Sequence, residues 1–443
     1  MRELTIIHAA ELDRSGQVHL RAVHLLAALP LADVILAQLQ ARLEVNIGPL
    51  SLAQAFHGIL LVVLLAVMLR HVIRVAAPAR PAAIAAGFFA ASIILSAVVQ
   101  SIDGKLCLED VVSDLKVLYW LAAWMACMVL CRGPEDFRAI LRGLVIAGTY
   151  AAASVIAVYF LGMEELSPYE GIAASAGGLN TAKGLGGILA VTGLVWVWLT
   201  RRDYRLLGAA GFVLCNIALV LTYQRAGLVA GCVGVVWLAG WRLVKPNGAA
   251  VQNWALRPVV LAIAPVLLIA FVLGTTDLQK RWEDLSDYDR AGSSRVAFWQ
   301  EAAAIYGRAD LPGRVVGIGY AGLVDGMEDH WGSRIHSHSD LLDALVVYGV
   351  LGLICWLAVC LGIMRMILPE GLGSPAAAVG MAIFLVLILE CALTGQMFGP
   401  HVMSFYLFAL CGVCLGSRVR QGEVSPTATG PAHESEGPDR EAP

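Results

Sequence analysis

The chain has 443 residues, 58% of them hydrophobic and 15% charged, with a mean hydropathy of +0.73, and this balance argues against an ordinary water-soluble domain. The formal net charge is -3. That value, and the lack of any stripe of Lys and Arg to follow a phosphate backbone, argue against nucleic acid as a partner.

From the amino terminus, the first twenty residues carry Glu3, Glu11, Asp13 and Arg14. They lack the charged start, apolar centre and cleavage site of a signal peptide, so an internal segment is expected to direct insertion. Apolar runs near the roughly 20 residues that cross a ~30 Å hydrocarbon layer follow. They predict helices over 22–40, 50–69, 81–100, 112–131, 139–162, 181–200, 205–222, 226–243, 257–274, 339–363, 374–394 and 399–416, about twelve spans. Arg21, Asp33 and Gln38 dilute the first. The turn around Tyr223 to Arg225 is so short that its flanking helices are predicted to be antiparallel neighbours. Nine of the ten cysteines lie in or beside apolar runs, Cys107 being in a polar loop. The Cys411 and Cys414 pair reads as small apolar packing.

Cations set the orientation, because Lys and Arg accumulate in cytoplasmic loops. Arg70, Arg74 and Arg80, then Arg132 and Arg138, Arg201 and Arg202, Arg242 and Lys245, Arg365, and Arg418 and Arg420 all fall in even connections, whereas odd ones carry Asp103, Glu109, Glu164 and Glu165. The division that follows is 1–274 with the first nine spans, 275–338 as one long outer loop, 339–416 with the last three spans, and 417–443 as a Pro-, Gly- and Glu-rich disordered cytoplasmic tail. Within the long loop, Ser293 and Ser294 are placed to cap a helix holding Arg295, Trp299 and Ala303 and stopping near Gly307. Leu311 to Gly319 reads as turns.

The densest group of reactive side chains is His336, Ser337, His338, Ser339 and Asp340, where the long loop meets the tenth span. A histidine beside a helix start is favoured as the neutral imidazole, which accepts a proton. Two other readings stand beside this one: polar residues marking the lipid interface, or zinc held by His330, His336, His338 and Asp340 through an HxHxD spacing. Arginines form a second constellation. Arg225 lies in the outer turn TYQRAG, where it either meets an anion or snorkels to the interface. Arg295, at a helix start, combines a guanidinium fork with unpaired amides suited to phosphate, and Arg290 is close upstream. An outward site with a histidine base and anion-gripping arginines beside lipid would suit a polyprenyl diphosphate sugar.

The stretch HSHSDLLDALVVYGVLG, His336 to Gly352, resembles the signature of the O-antigen ligase and polysaccharide polymerase superfamily: a histidine, here His338, with glycines eleven and fourteen residues on, here Gly349 and Gly352. SSRVAFWQEA, GIGYAG and TYQRAG resemble its other segments, although Ser339 stands where asparagine is usual and Gln224 where serine is common. The resemblance implies an all-α, GT-C-like integral membrane glycosyltransferase of the bacterial inner membrane, with its catalytic loop in the periplasm. It would need no metal or other cofactor. His338 would be the catalytic histidine, supported by His336 and Asp340, and Arg225, Arg295 and Arg290 would hold the diphosphate. The implied donor is an undecaprenyl-diphosphate-linked glycan, and the acceptor a lipid A core, a growing polysaccharide or a protein hydroxyl. A transporter or flippase of the same lipid-linked glycan is the competing class, supported by the span count and by Asp33, Asn216 and Glu390 within apolar runs.

Overall fold

Along Arg80–Ile102 the buried positions are mostly small, with Ala82, Ala83, Ala85, Ala86, Ser92 and Ser96 facing inward, while Ile84, Phe88, Ile94 and Val98 face out. A water-soluble helix does the reverse; small residues inside and large apolar ones outside are what a helix needs when its outer solvent is lipid. The structure, a computed structural model, describes residues 22–39, 46–47, 50–70, 75, 77–161, 165–166, 173–174, 183–199, 205–222, 224–244, 295–368, 374–398 and 400–420. The predicted span 257–274, Arg290, Ser293, Ser294, the first twenty-one residues and everything after 420 lie outside the described residues.

In chain order the described helices are α1 (Ala22–Leu39), α2 (Leu52–Arg70), α3 (Arg80–Ile102), α4 (Leu108–Leu130), α5 (Pro134–Phe160), α6 (Lys183–Leu199), α7 (Arg205–Leu221), α8 (Arg225–Val244), α9 (Arg295–Arg308), α10 (Leu311–Val316), α11 (Gly319–Trp331), α12 (Asp340–Ile367), α13 (Pro375–Leu393) and α14 (Pro400–Leu410). The last runs through a π-helical turn at Cys411–Leu415 into Gly416–Arg420. The described strands are two-residue pairs, Asn46–Ile47 with Leu50–Ser51 and Glu165–Leu166 with Ala173–Ala174. Six of the described helices are long and apolar enough to cross a membrane, and shorter apolar helices accompany them. The chain is thus an all-α, multi-pass membrane protein.

The broadest helix pairings are α3 with α12, α8 with α13, α6 with α7, and α2 with α4. Glycines let backbones meet: a side chain at Gly362 would strike Ala82, and one at Gly143 the carbonyl of Ala27. A ring cluster of Phe89, Trp120, Tyr348 and Trp356 fills the space between α3, α4 and α12, with centroids 5.7–6.5 Å apart. Contacts segregate the connections. Arg418 donates to the Met366 carbonyl at 3.2 Å and Gly416 lies on Phe137, so even connections share one end. The opposite end collects the α3–α4 and α13–α14 connections and residues 295–338.

Three expectations need correction. Residues 311–316 form a helix rather than turns, because Asp310 caps it by accepting from the Gly313 N–H at 2.8 Å and Pro312 occupies its first turn, where a missing N–H costs nothing. Helices α7 and α8 touch beside their turn, where Leu219 lies against Gly227 and Gly231, but do not stay paired along their length: they splay, α7 packing on α6 and α5 while α8 packs on α13 and α6. Residues 417–420, expected to be disordered, continue the last helix, held there by Arg418.

Candidate functional site

Residues 295–338 are bolted to the bundle through a break in α12. Gly349 has φ 70° and ψ −170°, a conformation open in practice to glycine alone, so the helix loses its regular ladder there. The freed carbonyls take other donors: Val346 accepts from the Ile318 N–H at 3.0 Å, and Val347 from Ser96 Oγ at 3.4 Å. Gly317, with φ 92°, lies so close to Val347 that a side chain would collide with its carbonyl. The GIG segment and the glycine eleven residues after His338 are therefore two halves of one joint. Asp110 of α4 completes it by accepting from the Ala321 N–H at 2.8 Å.

The joint delivers residues 336–339 to the start of α12. Asp343, fully buried one turn into that helix, accepts from the Ser337 N–H at 3.1 Å and the Ser337 hydroxyl at 2.6 Å through one oxygen, while the other lies 2.9 Å from His336 Nδ1. The Ser337 hydroxyl also accepts from the Ser339 N–H at 3.1 Å, and Ser339 occupies the N-cap position of α12. His338 adopts φ 58°, a left-handed conformation in which histidine is uncommon, and its ring meets that of His336 edge to face at 4.4 Å and that of Phe298 at 5.8 Å. Strain of this kind persists where surroundings enforce it and clusters at functional sites.

Beneath these rings, Asp340 accepts from the Met397 N–H at 2.8 Å, and Trp120 Nε1 donates to the Met397 carbonyl at 2.9 Å, pinning the α13–α14 connection. Glu390, fully buried, accepts from Thr394 Oγ1 at 2.8 Å and Gln396 Nε2 at 3.2 Å. On the other side stands Tyr320 of α11, its ring 4.7 Å from Phe398. Burial, reinforced by the charges of Asp343 and Glu109, pushes this phenol up to about 12, so near neutrality it is a hydroxyl and a hydrogen-bond donor.

The arginines come in from two directions. Arg295 opens α9, one turn before the Phe298 that touches His338, and its charge acts on Glu390. Arg225 opens α8. Trp237 Nε1 donates to the Ala378 carbonyl at 3.0 Å and Gly234 lies against Ala382 and Val386, so α8 runs antiparallel to α13 and its start falls level with residues 390–394. The backbone at Arg225 thus belongs to the same end of the bundle as His338. His330 stands apart, 3.5 Å from Glu301 on the surface of the loop. In the HxHxD segment the two imidazoles meet, while the Asp340 carboxylate turns away to Met397 and His336 to Asp343. Among the described residues no group of three His, Cys, Asp or Glu side chains is arranged to hold a metal ion.

Asp343 is the site residue that the sequence reading passed over. In the sequence it lies within an apolar run, where an ionisable residue inside a membrane span is by default a sign of function.

The family model described as O-Antigen ligase matches residues 209–357, from within α7 to within α12, about one third of the chain and including every site residue named above except those of the α3–α4 and α13–α14 regions. No curated protein matches the chain.

Proposed function

We propose, for a chain that over residues 209–357 is a member of the O-antigen ligase family, that it transfers or polymerises a polyprenyl-diphosphate-linked glycan onto an acceptor hydroxyl at the outer face of a bacterial inner membrane. The family supports a role in surface-polysaccharide or lipopolysaccharide biosynthesis and in glycosyl transfer, and in the proposal undecaprenyl diphosphate is the carrier and the periplasm the side of reaction. An imidazole of the His336 and His338 pair takes the acceptor proton, and the family resemblance gives that task to His338. The acceptor oxygen then bonds to the anomeric carbon, the carbon–oxygen bond to the diphosphate breaks, and the electron pair leaves on the diphosphate. Guanidinium groups from Arg225, Arg295 and Arg290 meet that developing charge. Asp340 supports the site by anchoring Met397 of the α13–α14 connection.

The observation that carries this reading is the meeting, at one end of the bundle, of the paired imidazoles with the helix starts that hold Arg225 and Arg295. Purified protein given undecaprenyl diphosphate glycan and separate acceptors tests it: transfer to lipid A core, to glycan or to protein gives distinct products. His338→Ala is expected to abolish transfer with insertion and expression intact, and a near-normal rate would count against the reading. A flippase would leave the glycan–diphosphate bond whole throughout.

A further inference from the structure

Lys116 is a cation inside a membrane helix that the transfer step described above does not use. It stands on α4, about 12 Å inward of Leu108 at the helical rise per residue, and is half-buried. Among the described residues none forms a hydrogen bond or ion pair with its ammonium group, although the charge of Glu109, two turns further out, acts on it. Such a residue is costly in hydrocarbon and is by default a sign of function. We infer that Lys116 binds a phosphate at the membrane anchor of the acceptor, and that the acceptor is therefore a lipid-anchored glycan rather than a protein. The inference rests on the glycosyl-transfer reading and deepens it by naming the side from which the acceptor comes.

Helical spacing decides where the ammonium faces. Glu109, Lys116 and Trp120 recur at seven and four positions and so share one stripe of α4. The two flanking members of that stripe both touch segments that build the site. Glu109 pairs with Arg334, two residues before His336. Trp120 Nε1 donates to the Met397 carbonyl, beside the Phe398 ring that packs on Tyr320 and lies 6.5 Å from His336. Lys116 lies between these contacts, one turn further out than Trp120, and so is level with the site rather than beneath it. Val111, an exposed apolar residue of the same helix, points about 140° away. The lysine stripe is therefore not the lipid-facing one. Snorkelling toward the rim would bring the ammonium under Glu109, whose carboxylate is already taken by Arg334.

The donor arginines come from elsewhere. Arg295 stands one turn before Phe298, which touches His338, and Arg225 opens α8. Helix α8 packs on α13, and α4 packs on α14, so α13 and α14 stand between the two. In a direct displacement at the anomeric carbon, the attacking oxygen enters opposite the departing diphosphate. With the diphosphate on the arginines, the acceptor arrives from the α4 side and meets the imidazoles between. Depth then selects the chemistry. An ammonium set this far along a membrane helix is reached by an anion that travels at membrane level, and the phosphate beside a lipid anchor is such an anion, with oxygens to match the three N–H donors. A protein hydroxyl brings no such charge.

The test compares Lys116→Gln and Lys116→Arg with the wild-type full-length protein in vesicles. Two phosphate-bearing acceptors are supplied, a glycolipid with phosphate monoesters on its anchoring sugar and a second prenyl diphosphate glycan, and the first is supplied again after phosphatase treatment. For the acceptor that the protein uses, Lys116→Gln is expected to raise acceptor KM by ~10-fold or more, the scale of one lost hydrogen bond to a charged group, with donor KM and the rate at saturating acceptor unchanged. Lys116→Arg should stay near the wild-type value, and the phosphatase-treated acceptor should serve all three proteins equally. Which acceptor shows the shift tells whether the phosphate is a monoester or a diphosphate. An unchanged acceptor KM in Lys116→Gln overturns the inference, and so does an equal loss with the phosphatase-treated acceptor, which marks a structural lysine. A loss that follows phosphatidylglycerol against phosphatidylcholine vesicles, whatever the acceptor, overturns it too, since bulk lipid then holds the lysine. Should Lys116→Gln misfold, the wild type decides: tenfold preference for the intact over the phosphatase-treated acceptor supports the site, and equal use sinks it. Acceptor binding without donor separates the two readings. Tenfold tighter binding to wild type than to Lys116→Gln, with no transfer by either, would remove glycosyl transfer and keep the phosphate site.

Discussion

Among the described residues, two imidazole–carboxylate pairs are built on a fully buried carboxylate, and they have different surroundings. Asp33 of α1 meets His57 of α2 at 3.2 Å, the Tyr119 hydroxyl of α4 reaches both carboxylate oxygens at 3.1 and 3.2 Å, and the tyrosine ring stacks on the imidazole at 4.5 Å. All three side chains are buried and come from uninterrupted helices. That triad closes on itself and ties three helices together, which is the role expected of polar groups that satisfy one another inside a membrane. The His336 and Asp343 pair is equally well made, yet it lies where the backbone is irregular, beside a strained His338 and under a ring that is partly exposed. Pairing alone therefore does not mark a reaction site. Access and broken helical geometry beside it set the second pair apart as the candidate site.

Breaking each pair should separate the two roles. Asp33→Ala strands a buried imidazole and phenol and is expected to cost about 3–5 kcal/mol, read as a shift in the detergent-unfolding midpoint, while transfer per folded molecule stays unchanged; loss of that specific activity would erase the contrast. Gly349→Ala comes next. It forces a side chain into a glycine-only conformation against the Val315 carbonyl, at about 3 kcal/mol, so protease cleavage within 295–338 should accelerate and transfer should fall. Ser337→Ala is the mildest change: it removes one donor from Asp343 and the acceptor of the Ser339 N–H, about 1 kcal/mol, and should lower the unfolding midpoint slightly and slow transfer roughly fivefold.

Much of the bundle was legible because lipid imposes one simple rule, a run of apolar residues long enough to cross. The apolar runs beginning at 81, 112, 139 and 374 became α3, α4, α5 and α13 with ends displaced by a few residues. Helix partners were not legible. The splaying of α7 from α8 depends on glycine contacts such as Gly227 on Gly186, whose pairing no local pattern reveals. The helix at 311–316 was hidden by its Pro and Gly, although Asp310 followed by Pro312 is itself a start signal. At the site, the HSHSD cluster and the glycine spacing were visible as chemistry and as family likeness. The partner of His336 was not, since Asp340 and Asp343 are equally plausible neighbours in sequence and only the irregular path of residues 336–339 chooses the second.

The joint at Gly349 has a mechanical corollary. A straightened α12 would take back the carbonyls of Val346 and Val347, and the Ile318 amide would lose its seat. An unkinked shaft and a seated loop cannot coexist, so a push along α12 from the far rim of the bilayer would reach the imidazoles as a single displacement of loop and helix together.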